Sequence, residues 1–337
     1  MKTSHSFSLF SRRSLPSIFL LSFSLAAALT ATVPEAAAQA DASSTTIYRL
    51  EKTSSFQRGC FPPCLCPVME SGSERGTLAL TLTGSDGLFD VYRVSEVNWK
   101  VSLPSGDLRV TGSGTYRVGG EFAVQHRLEL DLKVGDNPVE HFDSGLVAGG
   151  GGFPRLDITI SVHGQVCFDT VIHVDASPVP QSQIQLYRVL PESSFQRGCF
   201  GMCDCPVTEQ ALRGSFYLVP VDQNPLFTEY SVALVNWLVG PLAEDAASSG
   251  FPVTGFGSYH VGGEVAVQHQ MGLDLQVGTE APAFFDSGLV SGGSNFPRID
   301  IEITNEANSC VSTVIDLHAK PSKFRPASLS STTDVPR

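Results

Sequence analysis

The residues best equipped for chemistry are eight cysteines in two matched sets of four. Each set is a Cys-x3-Cys-x-Cys cluster followed much later by a lone cysteine: Cys60, Cys64, Cys66 and Cys167, then Cys199, Cys203, Cys205 and Cys310. Thiols so spaced can form disulfides or ligate a metal. A four-thiolate zinc site usually offers two close pairs, whereas here one arm carries three thiols and the other one. Behind an export signal the even count points to two disulfides per set. If Cys64 and Cys66 lie in extended chain, their Cα atoms are roughly 6.6 Å apart and a direct bridge is strained. Cys60 is then expected to take one of them and the lone cysteine the other. A cysteine-ligated metal or redox site is the alternative, and no metal or cofactor is expected.

A second candidate is Phe142-Asp143-Ser144-Gly145, repeated as Phe285-Asp286-Ser287-Gly288. It resembles the Asp-Ser/Thr-Gly loops of pepsin-like aspartic proteases, two-lobed β proteins that bring one such Asp from each lobe to share a proton. That resemblance implies a hydrolase with Asp143 and Asp286 within a few ångströms of each other. It covers about four residues per copy, and Leu146 and Leu289 stand where the family has Ser, Thr or Ala. The competing reading is turn chemistry, in which Asp bonds its own turn and Gly supplies positive φ. His126 and His269 fall on apolar strand faces and are expected as buried, hydrogen-bonded rings. Gly149 to Gly152 precedes no helix and reads as a flexible loop. Trp99 and Trp237 occupy matched strands, as core anchors if buried and as sugar-stacking platforms if exposed. No EF-hand or calcium-repeat pattern is present.

The elements that must position these residues come in two copies, residues 47–178 and 186–321. Ser54 to Phe61 recurs letter for letter as Ser193 to Phe200, and Val97-Asn98-Trp99 as Val235-Asn236-Trp237. The second copy gains five residues after Trp237 and loses one after its cysteine cluster. Within a copy the periodicity is two: Phe122, Val124, His126, Leu128, Leu130, Leu132 and Val134 share one face, and charged residues take most of the other. Gly and Pro punctuate seven or eight such runs, and no amphipathic helix competes. The fold expected is all-β, two tandem homologous antiparallel β-sandwiches or small β-barrels. The chain divides into a signal peptide (1–40), a first copy (41–178), a Pro-containing linker (179–185), a second copy (186–321) and a disordered tail (322–337).

Residues 1–40 place Lys2, Arg12 and Arg13 ahead of an apolar run and end at Ala38-Gln39-Ala40, the layout of a cleavable export signal. The net charge of −12 becomes −14 once these residues are removed, which disfavours nucleic acid and anionic lipid as partners. No run is long enough to span a membrane as a helix. The expectation is a secreted or periplasmic bacterial protein, disulfide-stabilised, with a structural or binding role. Its ligand would be a protein or a carbohydrate, and no catalysis is expected.

Overall fold

In the computed structural model the described residues are 45–323, except 68, 201–202, 204, 241–249 and 307–310. The expected export signal, most of the expected tail and Cys310 lie outside them. The first copy forms β1 (Thr45–Leu50), β2 (Ser55–Phe61), β3 (Met69–Ser85), β4 (Phe89–Leu103), β5 (Gly106–Gly119), β6 (Gln125–Val134), β7 (Val139–Asp143), β8 (Val147–Ala148), β9 (Leu156–Ser161) and β10 (Cys167–Pro178). The second forms β11 (Gln185–Val189), β12 (Ser194–Cys199), β13 (Thr208–Gln223), β14 (Phe227–Gly240), β15 (Phe251–Gly262), β16 (Gln268–Val277), β17 (Ala283–Asp286), β18 (Val290–Ser291), β19 (Ile299–Glu306) and β20 (Val311–Pro321).

Each copy is an antiparallel sheet that closes on itself. Pairing runs β2–β3–β4–β5–β6–β7–β9–β10 and back to β2, with β7 and β9 joined only by Asp143 and Ser161. Strand β1 continues the slot of β2 between β3 and β10, and β8 continues that of β7 beside β6. The second copy repeats the circuit strand for strand from β11 to β20. The architecture is therefore two closed barrels, and closure leaves no long unpaired edge among the described residues.

The barrels are filled. The alternation read from Leu128 to Val134 turns Leu128, Leu130, Leu132 and Val134 into the first core, where they meet Phe56, Trp99, Tyr116, Phe142 and Ile160. Phe195, Trp237, Tyr259, Phe285 and Ile303 take the corresponding places in the second. Trp99 and Trp237 are both 1% exposed, so they are core anchors and offer no platform for stacking a sugar. The alternation misleads at its start. Strand β6 begins at Gln125, and Phe122 and Val124 lie in an exposed bend created by Gly120, whose φ of +130° turns the chain out of the sheet.

The stretch between the copies is packed rather than free. Gln181–Gln183 form one 3-10 turn, and the flanking Val179 and Ile184 are buried with Ile47, Leu186, Tyr217, Val219 and Ala233 in a third cluster between the barrels. Polar contacts extend this interface. Thr77 and Ser231 share a hydroxyl bond of 2.6 Å, Asn98 Nδ2 donates to the Gly257 carbonyl at 2.6 Å, and the Leu234 N–H donates to Glu96 Oε2 at 2.9 Å. Glu96 and Leu234 are matched positions of the two copies, both at positive φ in a strand irregularity, so the two β-bulges meet each other.

Candidate functional site

The disulfides lie at one end of each barrel. Cys60 pairs with Cys66 and Cys64 with Cys167 in the first, and Cys199 pairs with Cys205 in the second. Cys203 is also disulfide-bonded, and its expected partner Cys310 lies outside the described residues. Oxidised in this way, the described cysteines are unavailable as the thiolates of a metal site. The Cys64–Cys167 bridge ties the segment after β2 to the first residue of β10, across 103 positions.

The opposite end, the mouth, carries the other sequence candidates. Asp143 receives the Arg127 guanidinium at 2.9 and 2.7 Å and the Gly145 N–H at 2.8 Å, with Gly145 at φ +63°. Hydrogen bonding from Arg127 holds the Asp143 carboxyl below its usual pKa, opposite in sense to a carboxyl sharing a proton with another. Asp286 takes the Gln270 side-chain amide at 3.0 Å, and Ser144 and Ser287 brace their turns by accepting the N–H of Leu128 and Met271, each at 3.0 Å. Each aspartate is thus tied within its own barrel, and among the described residues no hydrogen bond joins the two.

His126 and His269 are the hubs beneath each mouth. They are 3% and 2% exposed, and each shares a 3.2 Å hydrogen bond through Nδ1 with a buried tyrosine hydroxyl, Tyr116 or Tyr259. Burial lowers the pKa of both rings, with Asp157 and Asp300 opposing the shift, which favours a neutral imidazole. A β-carbon on Gly149 would come 2.5 Å from His126 Nε2, and one on Gly292 2.4 Å from His269 Nε2. Gly149-Gly150 and Gly292-Gly293 therefore lie flat on the imidazoles at positive φ. The expected flexible loop is a seated one, because only glycine permits that approach. Its far end inserts Phe153 over Tyr92 and Tyr116, with ring centroids 5.2 and 5.9 Å away, and Phe296 does the same over Tyr230 and Tyr259.

That plug leaves apolar side chains at the mouth with nowhere to go. Leu88, Phe122, Val124, Leu146 and Val147 are exposed, and so are Leu226, Val265, Val267, Leu289 and Val290 at the matched positions. Phe122 and Val265 are 94% and 98% exposed. Backbone bonds hold each set together: Gly120 N–H to the Leu88 carbonyl at 2.9 Å, Gly149 N–H to the Val124 carbonyl at 3.1 Å, and Val147 paired across from His126. The second mouth repeats these contacts through Gly263 and Leu226, Gly292 and Val267, and Val290 and His269. An Asp86 or Asn224 side chain accepting two N–H groups fixes the turn that presents Leu88 or Leu226.

Comparison with protein-family models, curated proteins and solved structures returns no match. The internal duplication is the available comparison: besides the strand segment Ser54 to Phe61, it leaves two loop segments of the mouth nearly unchanged. Val118 to His126 and Val261 to His269 differ only at Phe122 and Val265. Asp143 to Val147 recurs unchanged as Asp286 to Val290. Exposed loops ordinarily drift, so a loop that resists drift while holding apolar side chains in water is a mark of use. Sequence reasoning missed this surface because it assigned Phe122 and Val124 to a strand face. The signal available was the near-identity of that loop in the two copies.

Two other groupings carry less. Ligand atoms of Glu129, His141 and Asp143 lie within 4.8 Å of one another. Arg127 already places its guanidinium on Asp143 and, at 3.0 Å, on Glu129, and the second copy has Gly272 and Phe284 in place of Glu129 and His141. A cavity of 220 Å3 between the barrels is lined by Arg75, Lys100, Glu229 and His260 among others. Its cations are already matched: Arg75 and Lys100 meet Glu229 at 3.1 and 3.3 Å, and Arg109 pairs with Asp274 while lying 4.8 Å from the Phe284 ring centroid. These contacts join the barrels.

Proposed function

We propose that the protein is an exported, disulfide-stabilised binding protein that engages a partner protein through the two apolar mouths and performs no catalysis. The observation that carries this reading is the duplicated, exposed set of five aliphatic or aromatic side chains at each mouth, four of them in two segments, 118–126 and 143–147, that scarcely differ from 261–269 and 286–290. In this account residues 1–40 direct export, residues 41–178 and 186–321 are the two domains, and residues 322–337 are a tail. Export suits the disulfides, which persist in oxidising compartments. The buried tryptophans weigh against a carbohydrate ligand and towards a protein one.

The energetics suit moderate affinity. Covering side chains that are about half exposed contributes roughly 1 kcal/mol each, so five of them per mouth give weak binding once association entropy is deducted. Two mouths on one chain make the second contact intramolecular, raising avidity without a new interaction. A fluorescence titration with Nile red, a neutral apolar probe unaffected by the protein's negative charge, is expected to give two sites of similar affinity per folded chain. Absence of binding to the native protein would overturn the reading.

A further inference from the structure

Resting on that reading, a second feature of the mouths speaks to the kind of partner. Glu121 and Glu264 are exposed, each next to the most exposed apolar residue of its mouth, Phe122 or Val265. Neither carboxylate has an ion-pair or hydrogen-bond partner among the described residues. Three arginines of the barrels are already engaged with other carboxylates. Arg155 is bidentate on Asp175 at 2.8 and 2.6 Å, Arg298 is on Asp300 and Glu192 at 2.9 and 3.0 Å, and Arg127 is on Asp143. Arg93 and Arg117 of the first barrel have no cationic counterpart in the second, where Ser231 and His260 stand, and burial pushes the His260 pKa down. The charge common to both mouths is therefore an unpaired carboxylate beside an apolar set, on a chain of net charge −12.

We infer that each mouth docks a cationic amphipathic segment of a partner protein, with apolar side chains on the five-residue set and a Lys or Arg on Glu121 or Glu264. Charge complementarity favours this partner over an anionic bilayer, which the same carboxylates and the net charge repel. A solvent-exposed ion pair is worth up to about 1 kcal/mol, so the charge preference should be about fivefold in affinity per mouth and should fade with salt.

The test titrates the full chain with two synthetic peptides of equal length, one of alternating Leu and Lys and one of alternating Leu and Glu. Vesicles of zwitterionic phosphatidylcholine and Nile red serve as parallel probes. The expected result is two sites for the Leu/Lys peptide, roughly fivefold tighter than for the Leu/Glu peptide. That preference should collapse in E121Q/E264Q, whose exposed substitutions leave the fold intact. Equal affinity for the two peptides, a preference for the acidic one, or binding of vesicles but of neither peptide would overturn the inference. If Nile red still occupies both mouths in that case, the binding reading stands and only the partner class falls. If Nile red also fails, both fall.

Discussion

Glu74 shows how far one side chain can depart from its surroundings. It is 2% exposed, both carboxylate oxygens lack a hydrogen-bond partner, and it stands in the barrel wall where the second copy has the fully buried Leu212. Burial raises its pKa from 4.5 to about 8, and no charged group contributes to the shift. Below pH 4.5 the group is protonated in folded and unfolded chains alike, so ionisation costs nothing. As pH rises towards 8 the unfolded chain ionises first, and stability falls by about 1.4 kcal/mol per pH unit. Glu74→Leu should therefore raise the melting temperature, with a gain that grows between pH 4.5 and pH 8 and reaches about 3 kcal/mol near neutrality. A gain independent of pH in paired melting curves would show that the carboxyl is solvated. Gly149→Ala acts at the same scale through sterics: its β-carbon meets the imidazole of His126, and a loss of about 1–3 kcal/mol is expected in chemical denaturation. The same change at Gly151, which has open space, should cost much less.

Among the elements, the disulfides and the mouth loops divide the work of each barrel. The Cys64–Cys167 bridge closes a loop of 103 positions and Cys60–Cys66 one of 6, so the chain-entropy model assigns them about 4.7 and about 2 kcal/mol. Removing the long bridge with C64A/C167A should lower the melting temperature more than C60A/C66A. Equal losses would mean that the unfolded state already holds the two ends together. Much of this level was legible in the sequence. Period-two alternation located the strands because one face of each is buried, and the cysteine spacing anticipated one short and one long bridge in the first copy while leaving open whether Cys64 or Cys66 takes the long one. The choice between sandwich and barrel was not legible, because closure rests on the sparse pairing of β7 with β9, which leaves no local pattern. Nor was the mouth: Phe122 and Val124 continue the alternation of β6 in letters, while the positive φ of Gly120 removes them from the strand. Asp143 and Asp286 showed the limit of a short motif, since the same four letters serve a turn braced by Arg127 or Gln270.

For the molecule as a whole, divergence between the copies built the contact that unites them. Lys100, Arg109 and Phe284 stand where the sister copy has Leu238, Pro252 and His141, and all three face the other barrel. The seven-residue apolar cluster makes the same junction from Ile47 and the intervening stretch. The two barrels should accordingly melt in one calorimetric transition, and Val219→Asp, which buries a charge in that cluster, should split it into two. Two transitions in the unaltered protein would contradict a coupled pair. Against this divergence the mouths stayed alike, and the central claim is that they are two equivalent binding surfaces. The most direct measurement is Nile red stoichiometry in V147D, V290D and the double variant, compared with the unaltered chain. The account predicts two sites, then one in either single variant, then none in the double, with melting temperatures little changed because both valines are exposed. Two sites persisting in the double variant would contradict it.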